Sequence, residues 1–117
     1  MNISASSMII LIVGHWIGDY VLQTNIIAKE KSRNLKWLLI HIALYTSTLA
    51  ICSFFILPFD KALRFIVVNG LLHLVTDFAT SKMAQKFQSN QRLYYIIIGF
   101  DQMIHFITLL MTLEIFS

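Results

Sequence analysis

Histidine and aspartate residues recur inside the apolar stretches of this sequence, where ionisable side chains are rare. All four histidines lie in such stretches, together with three aspartates. These residues are His15, Asp19, His41, His73, Asp77, Asp101 and His105. In a lipid environment, a charged side chain near the bilayer centre costs about 2.5–3.5 kcal/mol even on the lenient insertion scale. The aspartates therefore need pairing, protonation or a bound cation, and we interpret the seven residues as one polar functional site.

Most of these residues form pairs one helical turn apart. Residues four positions apart are neighbours on one face of a helix. The pairs with this spacing are His15–Asp19, His73–Asp77 and Asp101–His105. The polar side chains expected to support them are Gln23, Tyr45, Asn69 and Gln102. The spacing therefore predicts three helices that each present a histidine–aspartate face, and a further helix that presents His41 and Tyr45.

Imidazole and carboxylate groups together are typical ligands of zinc, manganese and iron. The single cysteine, Cys52, has no partner for a disulfide or for a cysteine-based zinc site. We therefore predict a divalent transition metal, most favourably zinc, held by His15, His41, His73, Asp77, Asp101 and His105. Asp19 is predicted to be a further ligand or a general base. This set exceeds one tetrahedral site and suits either a dinuclear centre or one metal with supporting groups around it.

Two other interpretations use the same residues. Histidine–aspartate pairs can be hydrogen bonds between helices, but such bonds contribute only ~0.6 kcal/mol on average, which is small beside the insertion cost. Chains of aspartate and histidine also form proton or ion pathways in pumps and transporters. The residues therefore predict a buried polar site, with metal binding and ion transport as competing functions.

The elements that must position these residues are helices that cross a membrane. The 117-residue chain is 57% hydrophobic and 13% charged, whereas soluble domains average about 45–50% and about 25%. Four apolar stretches approach the roughly 20 residues needed to span the hydrocarbon core, and they are residues 5–27, 37–57, 63–81 and 93–116. We predict an all-α integral membrane protein, a bundle of four transmembrane helices that forms one transmembrane domain over residues 1–117.

Basic residues are concentrated in two of the three predicted loops, residues 28–36 and residues 82–92. Four crossings place these two loops on the same side, and basic loops usually face the cytoplasm. The sequence therefore predicts a multi-pass protein of the cell membrane, of the bacterial inner-membrane type, with both termini outside the cytoplasm. Counted from the cytoplasmic helix ends, the seven polar residues lie ~6 to ~18 Å deep, so they share one slab of the bilayer.

A weak internal repeat relates the two halves of the chain. Residues 15–20 and residues 73–78 each contain a histidine, then an aspartate four positions later, then an aromatic residue. This repeat suggests two parallel helical hairpins related by a pseudo-twofold axis along the membrane normal. Gly14 and Gly18 have the spacing that permits close helix approach, and we interpret them as packing positions.

Several motifs in this order resemble domain-of-unknown-function family 3307, a group of small bacterial and phage membrane proteins. They are HWIGDYVLQTN at residues 15–25, LLIHIALY at 38–45, HLVTDF at 73–78 and DQMIH at 101–105. The similarity covers nearly the whole chain, and the family implies a membrane protein without a defined activity. The chain is also similar, more weakly, to membrane-bound metal-dependent hydrolases that have intramembrane histidines.

These observations lead to three hypotheses about function. The first is a membrane-embedded metal-dependent hydrolase that opens toward the cytoplasm and accepts a lipid-like or polyprenyl substrate. The second is a component for proton, ion or small-solute transport that uses the same residues. The third is an accessory subunit that binds another membrane protein. The expected partners are the lipid bilayer and a second copy of the chain in a homo-oligomer, and no nucleic acid.

Overall fold

The chain is all-α over residues 3–117, which the computed structural model describes. The helices are α1 (Ala5–Trp16), α2 (Asn25–Glu30), α3 (Leu35–Ile56), α4 (Phe59–Lys86) and α5 (Gln91–Phe116). A π-helical segment, Ile17–Val21, continues α1. The predicted helical fold class is therefore confirmed.

The outer faces of the long helices are apolar. Phe55 is 81% exposed, Ile115 70% and Val75 68%, which would be unfavourable in water over so many positions. Helices α3, α4 and α5 are long and apolar enough to cross a membrane, and the helical stretch Ala5–Val21 is apolar but shorter. These features indicate a multi-pass membrane protein.

The first predicted helix, residues 5–27, is two helices in the structure, so the single span was wrong at its C-terminal end. The helical stretch ends at Val21, and α2 begins at Asn25. The side chain of Thr24 accepts a hydrogen bond from the backbone N–H of Ile27 at 3.3 Å and so caps α2. Threonine in this role starts a new helix and does not continue the previous one.

Helix α4 extends beyond the predicted residues 63–81 at both ends. It begins directly after Pro58, and it carries Asp60 in its first turn and Lys86 in its last. Charges of these signs at these ends are favoured by the helix dipole, and lysine, glutamine and alanine are good helix formers. The third connection is therefore residues 87–90, shorter than the predicted loop 82–92.

One end of the bundle carries α2 and the two connections at residues 31–34 and 87–90, and we call it the basic end. Asn34 and Asn90 cap α3 and α5 there through their side-chain oxygens. At the opposite end, the ammonium of Lys61 donates a hydrogen bond to the backbone carbonyl of Ser117 at 3.2 Å.

The half of the bundle nearer this opposite end is packed mainly with apolar side chains, and the polar residues Ser53, Asn69 and Thr112 are buried among them. Leu11, Leu49, Phe65 and Leu109 are each 3% exposed or less and belong to one core cluster. On each helix, this core residue lies farther from the basic end than the histidine of the same helix does. The apolar core therefore separates the polar residues from the end that carries the C-terminus.

Gly18 allows the π-helical segment to approach α3 closely. A Cβ atom at this position would lie 3.1 Å from Cδ2 and 3.2 Å from Cα of Tyr45. Gly14, one turn earlier, faces Cys52 of α3 in the same way. Both glycines therefore serve helix packing, which is the role that their spacing predicts.

Candidate metal centre

The seven ionisable residues predicted from the sequence converge in the interior of the bundle. Each of them is 6% exposed or less. Together they come from α1, the π-helical segment, α3, α4 and α5. Asp19 is at their centre, on the π-helical segment. A π-helical turn interrupts the regular spacing of side chains and is frequent at functional sites. Here the turn contains Gly18, whose backbone packs closely against Tyr45 of α3.

Three ligand-type atoms meet at one point in the cluster. Oδ1 of Asp19 is 3.0 Å from Nε2 of His41 and 3.5 Å from Nε2 of His73. The two histidine nitrogens are 3.3 Å from each other. Zinc–ligand bonds of about 2.0–2.1 Å in tetrahedral geometry place neighbouring ligand atoms roughly 3.3 Å apart. Asp19, His41 and His73 therefore have the spacing of three ligands of a tetrahedral metal ion, and we call them the first triad.

Asp19 also belongs to a second group with Asp101 and His105. One ligand atom from each of these residues lies within 4.8 Å of the others. Nε2 of His105 is 3.2 Å from Oδ2 of Asp101, yet this nitrogen is buried and forms no hydrogen bond among the described residues. A buried polar atom without a partner is costly, and a cation at this point would bind it. We call these residues the second triad.

Gln102 links the two triads. Its Nε2 group donates hydrogen bonds to Oδ2 of Asp19 and to Oδ2 of Asp101, both at 2.9 Å. Its Oε1 atom is 2.8 Å from Nε2 of His15, whose Nδ1 atom is 2.9 Å from the hydroxyl of Tyr45. Since an amide oxygen accepts, His15 donates from Nε2 and accepts from Tyr45 at Nδ1. A continuous chain of donors therefore runs from Tyr45 through His15 and Gln102 to the two carboxylates.

The hydrogen bonds of His15 occupy both of its ring nitrogens. Nε2 is also 3.5 Å from Oδ2 of Asp19, so the residue lies beside the triads. Its predicted role as a metal ligand stays a prediction, and the observed contacts are those of a residue that orients Gln102.

Aromatic stacking fixes the ring of His73. The ring of Tyr45 stacks on the ring of His73, with 3.8 Å between the ring centroids and an angle of 8° between the ring planes. His105 stacks with His73 at 4.0 Å and 28°. Because the ring can turn little between its neighbours, Nε2 is held toward Asp19. Tyr45 thus contacts two histidines of the cluster, and its role as a supporting residue stays a prediction.

Asp77 lies at the side of the cluster nearest the basic end. Its two oxygens are each 3.0 Å from the ammonium of Lys31, and Oδ2 is 3.4 Å from Nε2 of His41. Lys31 was not among the predicted site residues. No spacing rule identifies it, because it follows α2 and reaches the cluster only through the folded structure.

Thr80 is a second site residue that the sequence reasoning missed. Its hydroxyl lies within hydrogen-bond distance of Oδ1 of Asp101 and of the backbone carbonyl of Thr76, and its single proton is donated to one of them. It lies three positions after Asp77, on the same stripe of α4, so the helical spacing contains a signal for it.

Two of the predicted supporting residues lie at the edges of the cluster. The amide nitrogen of Asn69 donates to the backbone carbonyl of Phe65 at 2.9 Å and to the hydroxyl of Thr112 at 2.8 Å. Gln23 lines a cavity of about 70 Å³ that also touches Asp19, Asp77 and Asp101. Asn69 therefore faces the apolar half of the bundle, and Gln23 the basic end.

The charges of the cluster leave an excess of carboxylates. Asp19, Asp77 and Asp101 are buried together, and Lys31 is the cation that pairs with one of them. The histidines are neutral when they act as metal ligands. Within residues 3–117, two carboxylates then remain without a cationic partner, and a divalent cation would balance them.

Comparison with known proteins gives one family. The sequence matches the family described as "Protein of unknown function (DUF3307)" over residues 7–117. No curated protein and no solved structure matches the chain. The family description contains no activity, so a function must be argued from the geometry of the site.

Proposed function

The chain belongs to the DUF3307 family, as its motifs predict, and we propose that it is a membrane-embedded, metal-dependent hydrolase. The observation that carries the proposal is the first triad. Its atoms are 3.0, 3.3 and 3.5 Å apart, close to the roughly 3.3 Å edge of a zinc tetrahedron. A site with three protein ligands and an open fourth position is typical of catalytic zinc.

We assign Asp19, His41 and His73 as the primary ligands. Asp101 and His105 adjoin these ligands and, together with Asp19, would hold a second ion. A divalent cation in the first triad would polarise a water molecule and the bond to be hydrolysed. Zinc is the favoured ion, since the ligands are imidazole and carboxylate and no thiolate pair is present in the sequence.

The remaining polar residues would orient these ligands. Gln102 holds the carboxylates of Asp19 and Asp101 at a common point, and His15 and Tyr45 hold Gln102. Hydrogen bonds of this kind around a metal site fix the orientation of its ligands and tune their basicity. Asp77 would act as a further ligand or as a base when it is released from Lys31.

We propose that residues 1–117 form one transmembrane domain with four crossings, in which Ala5–Val21 is the first. The basic end would face the cytoplasm, since cytoplasmic loops carry an excess of lysine and arginine. Both termini would then lie outside. The two hairpins, α1 with α3 and α4 with α5, would be the halves of the parallel repeat seen in the sequence.

The alternative, a pathway for protons or ions, needs a polar route to both ends of the bundle. The apolar core supports the hydrolase instead, because Leu11, Leu49, Phe65 and Leu109 fill the interior beyond the histidines. A site that is accessible from one side only suits an enzyme with a substrate from the basic end.

Hydrolysis by the purified protein tests this proposal. The full chain in detergent should hydrolyse at least one of a set of chromogenic carboxylic and phosphoric esters. A chelator should abolish the activity, and added zinc should restore it. His73→Ala should be inactive, whereas Asn69→Leu, outside both triads, should keep most of the activity. Hydrolysis that survives both the chelator and His73→Ala would contradict the proposal.

A further inference from the structure

A polar cavity at the basic end lies beside the proposed metal centre and is lined by basic residues. It has a volume of about 400 Å³, and its walls include Lys29, Lys31, Arg33, Gln85 and Tyr94. We call it the vestibule. We propose that the vestibule binds the phosphate group of a phosphate ester and so selects the substrate. This inference rests on the proposed hydrolase and names its substrate class.

The charges of the vestibule have one sign. Three of the residues that line it are lysine or arginine, and the lining contains no aspartate or glutamate. Because Asp77 balances the charge of Lys31, the net positive charge of the vestibule comes from Lys29 and Arg33. These two cations attract an anion, and a doubly charged anion more strongly than a singly charged one. Phosphate monoesters carry between one and two negative charges at neutral pH and have three acceptor oxygens.

The guanidinium of Arg33 is held at the vestibule wall by a defined contact. The amide of Gln85 satisfies its neighbours when its oxygen faces Arg33. In this orientation the amide oxygen accepts hydrogen bonds from Nε of Arg33 at 2.6 Å and from Nη2 at 3.3 Å. The amide nitrogen then donates to the hydroxyl of Ser32 at 2.6 Å. A fixed, planar guanidinium is well suited to phosphate, because its N–H groups match pairs of phosphate oxygens.

Lys31 connects the vestibule to the metal centre. It lines both the vestibule and the smaller cavity of about 70 Å³ that touches Asp19 and Asp101. Its ammonium contacts both oxygens of Asp77, which in turn is 3.4 Å from His41. The two cavities therefore adjoin at Lys31, and a phosphate ester selected by the vestibule would pass this side chain to reach the proposed ligands.

Hydrolysis of such a substrate needs only water as a second reactant. The oxygen of water forms a bond to phosphorus, and the bond between phosphorus and the ester oxygen breaks. The ester oxygen takes the proton that water loses and leaves as an alcohol, while inorganic phosphate is the other product. Paired metal ions are common in enzymes of this class, and two triads that share a carboxylate suit them.

The phosphate could belong to a lipid headgroup or to a soluble ester. Basic pockets at the ends of transmembrane helices bind lipid headgroups, and the vestibule is at such a position. A soluble ester would reach the same cavity from the aqueous side. Both sources share the chemistry that the vestibule recognises, so the experiment must separate them.

Binding to the delipidated full chain tests the inference. Calorimetry would measure the binding of glycerol 3-phosphate, the soluble probe. Binding to lipid would be measured with nanodiscs that contain phosphatidic acid, and nanodiscs of phosphatidylcholine alone would be the lipid control. The test variant is Lys29→Gln with Arg33→Gln. The matched control is Lys86→Gln with Arg92→Gln, which removes the same charge near the same end but from residues that do not line the vestibule.

We expect the vestibule variant to lose at least about tenfold in affinity for the phosphate probe, since it removes two charge-assisted contacts, and we expect the control to keep it. Arg33→Lys should retain part of the affinity. Binding of phosphatidic acid alone would support the inference with a lipid source, and binding of glycerol 3-phosphate would support it with a soluble source. Absence of binding to either probe, or equal losses in the two double variants, would overturn it.

Metal content, measured on the same preparations, separates this inference from the proposed function. A chain that carries metal but binds no phosphate probe would overturn the vestibule as the substrate site and leave the metal centre intact. A chain that binds the probe but carries no metal would overturn the hydrolase and leave a phosphate-binding site.

Discussion

Replacement of Gly18 by alanine should destabilise the protein and loosen the proposed metal centre. The new Cβ atom would lie 3.1 Å from Cδ2 and 3.2 Å from Cα of Tyr45, whereas carbon atoms in good contact are about 3.5–4.0 Å apart. Because one of these neighbours is a backbone atom, the π-helical segment and α3 must separate by a few tenths of an ångström. Overpacking of this kind costs about 1–3 kcal/mol.

A matched control is available at Gly99, where an added Cβ atom would have no other atom within 4 Å. Alanine is favoured over glycine in a helix by up to about 1 kcal/mol, so Gly99→Ala should be neutral or slightly stabilising. The same gain partly offsets the cost at Gly18. The two variants should therefore differ in free energy of unfolding by roughly 1–3 kcal/mol.

Reversible unfolding in mixed detergent micelles would measure this difference, and metal content would report on the site. Gly18→Ala should also hold less metal, because Asp19 is the next residue and its 3.0 Å contact with His41 spans the same helix pair. If Gly18→Ala were as stable as Gly99→Ala and held as much metal, the close packing of the π-helical segment on α3 would be refuted.

Two further predictions concern individual contacts, and a third concerns membrane topology. Lys31→Met should cost roughly 3 kcal/mol in unfolding experiments, because it leaves Asp77 buried without its cation; Lys31→Met with Asp77→Asn should recover most of the loss, and an equal loss in both would contradict the pairing. Asn69→Leu should cost under about 1 kcal/mol, since hydrogen bonds between membrane helices average ~0.6 kcal/mol, and should leave the metal content unchanged; loss of metal would show that Asn69 supports the site. Reporter fusions after Arg33 and after Phe116 should report opposite sides of the membrane, with Arg33 in the cytoplasm, and equal signals from both would refute four crossings.

Much of the cluster follows from the sequence because helical spacing is a local property. Residues four positions apart share a helix face in any α-helix, and the insertion cost drives such faces inward. The pairs His15–Asp19 and His73–Asp77 therefore predict the interior of two helices without knowledge of the fold. The two pairs lie at a similar depth in the bilayer, counted along each helix from the basic end, and this predicts that they contact each other in the folded bundle.

The features that the sequence did not reveal depend on contacts between distant segments. The break at residues 22–24 depends on the cap that Thr24 provides, and the π-helical turn depends on how Gly18 packs against α3. Lys31 approaches Asp77 only when the turn that follows α2 lies against the C-terminal part of α4. The hydrogen bonds of His15 to Tyr45 and Gln102 likewise join three helices, so its spacing alone could not separate a ligand from an orienting residue.

The content of divalent metal in the purified protein tests the central claim most directly. The wild-type chain, extracted without chelator, should carry between one and two metal ions, predominantly zinc, as measured by inductively coupled plasma mass spectrometry. Asp19→Ala should carry none, because Asp19 belongs to both triads. His73→Ala should lose the ion of the first triad, and Asn69→Leu should match the wild type. A wild-type chain with well under half an ion, or an Asp19→Ala variant with as much metal as the wild type, would contradict the metal centre.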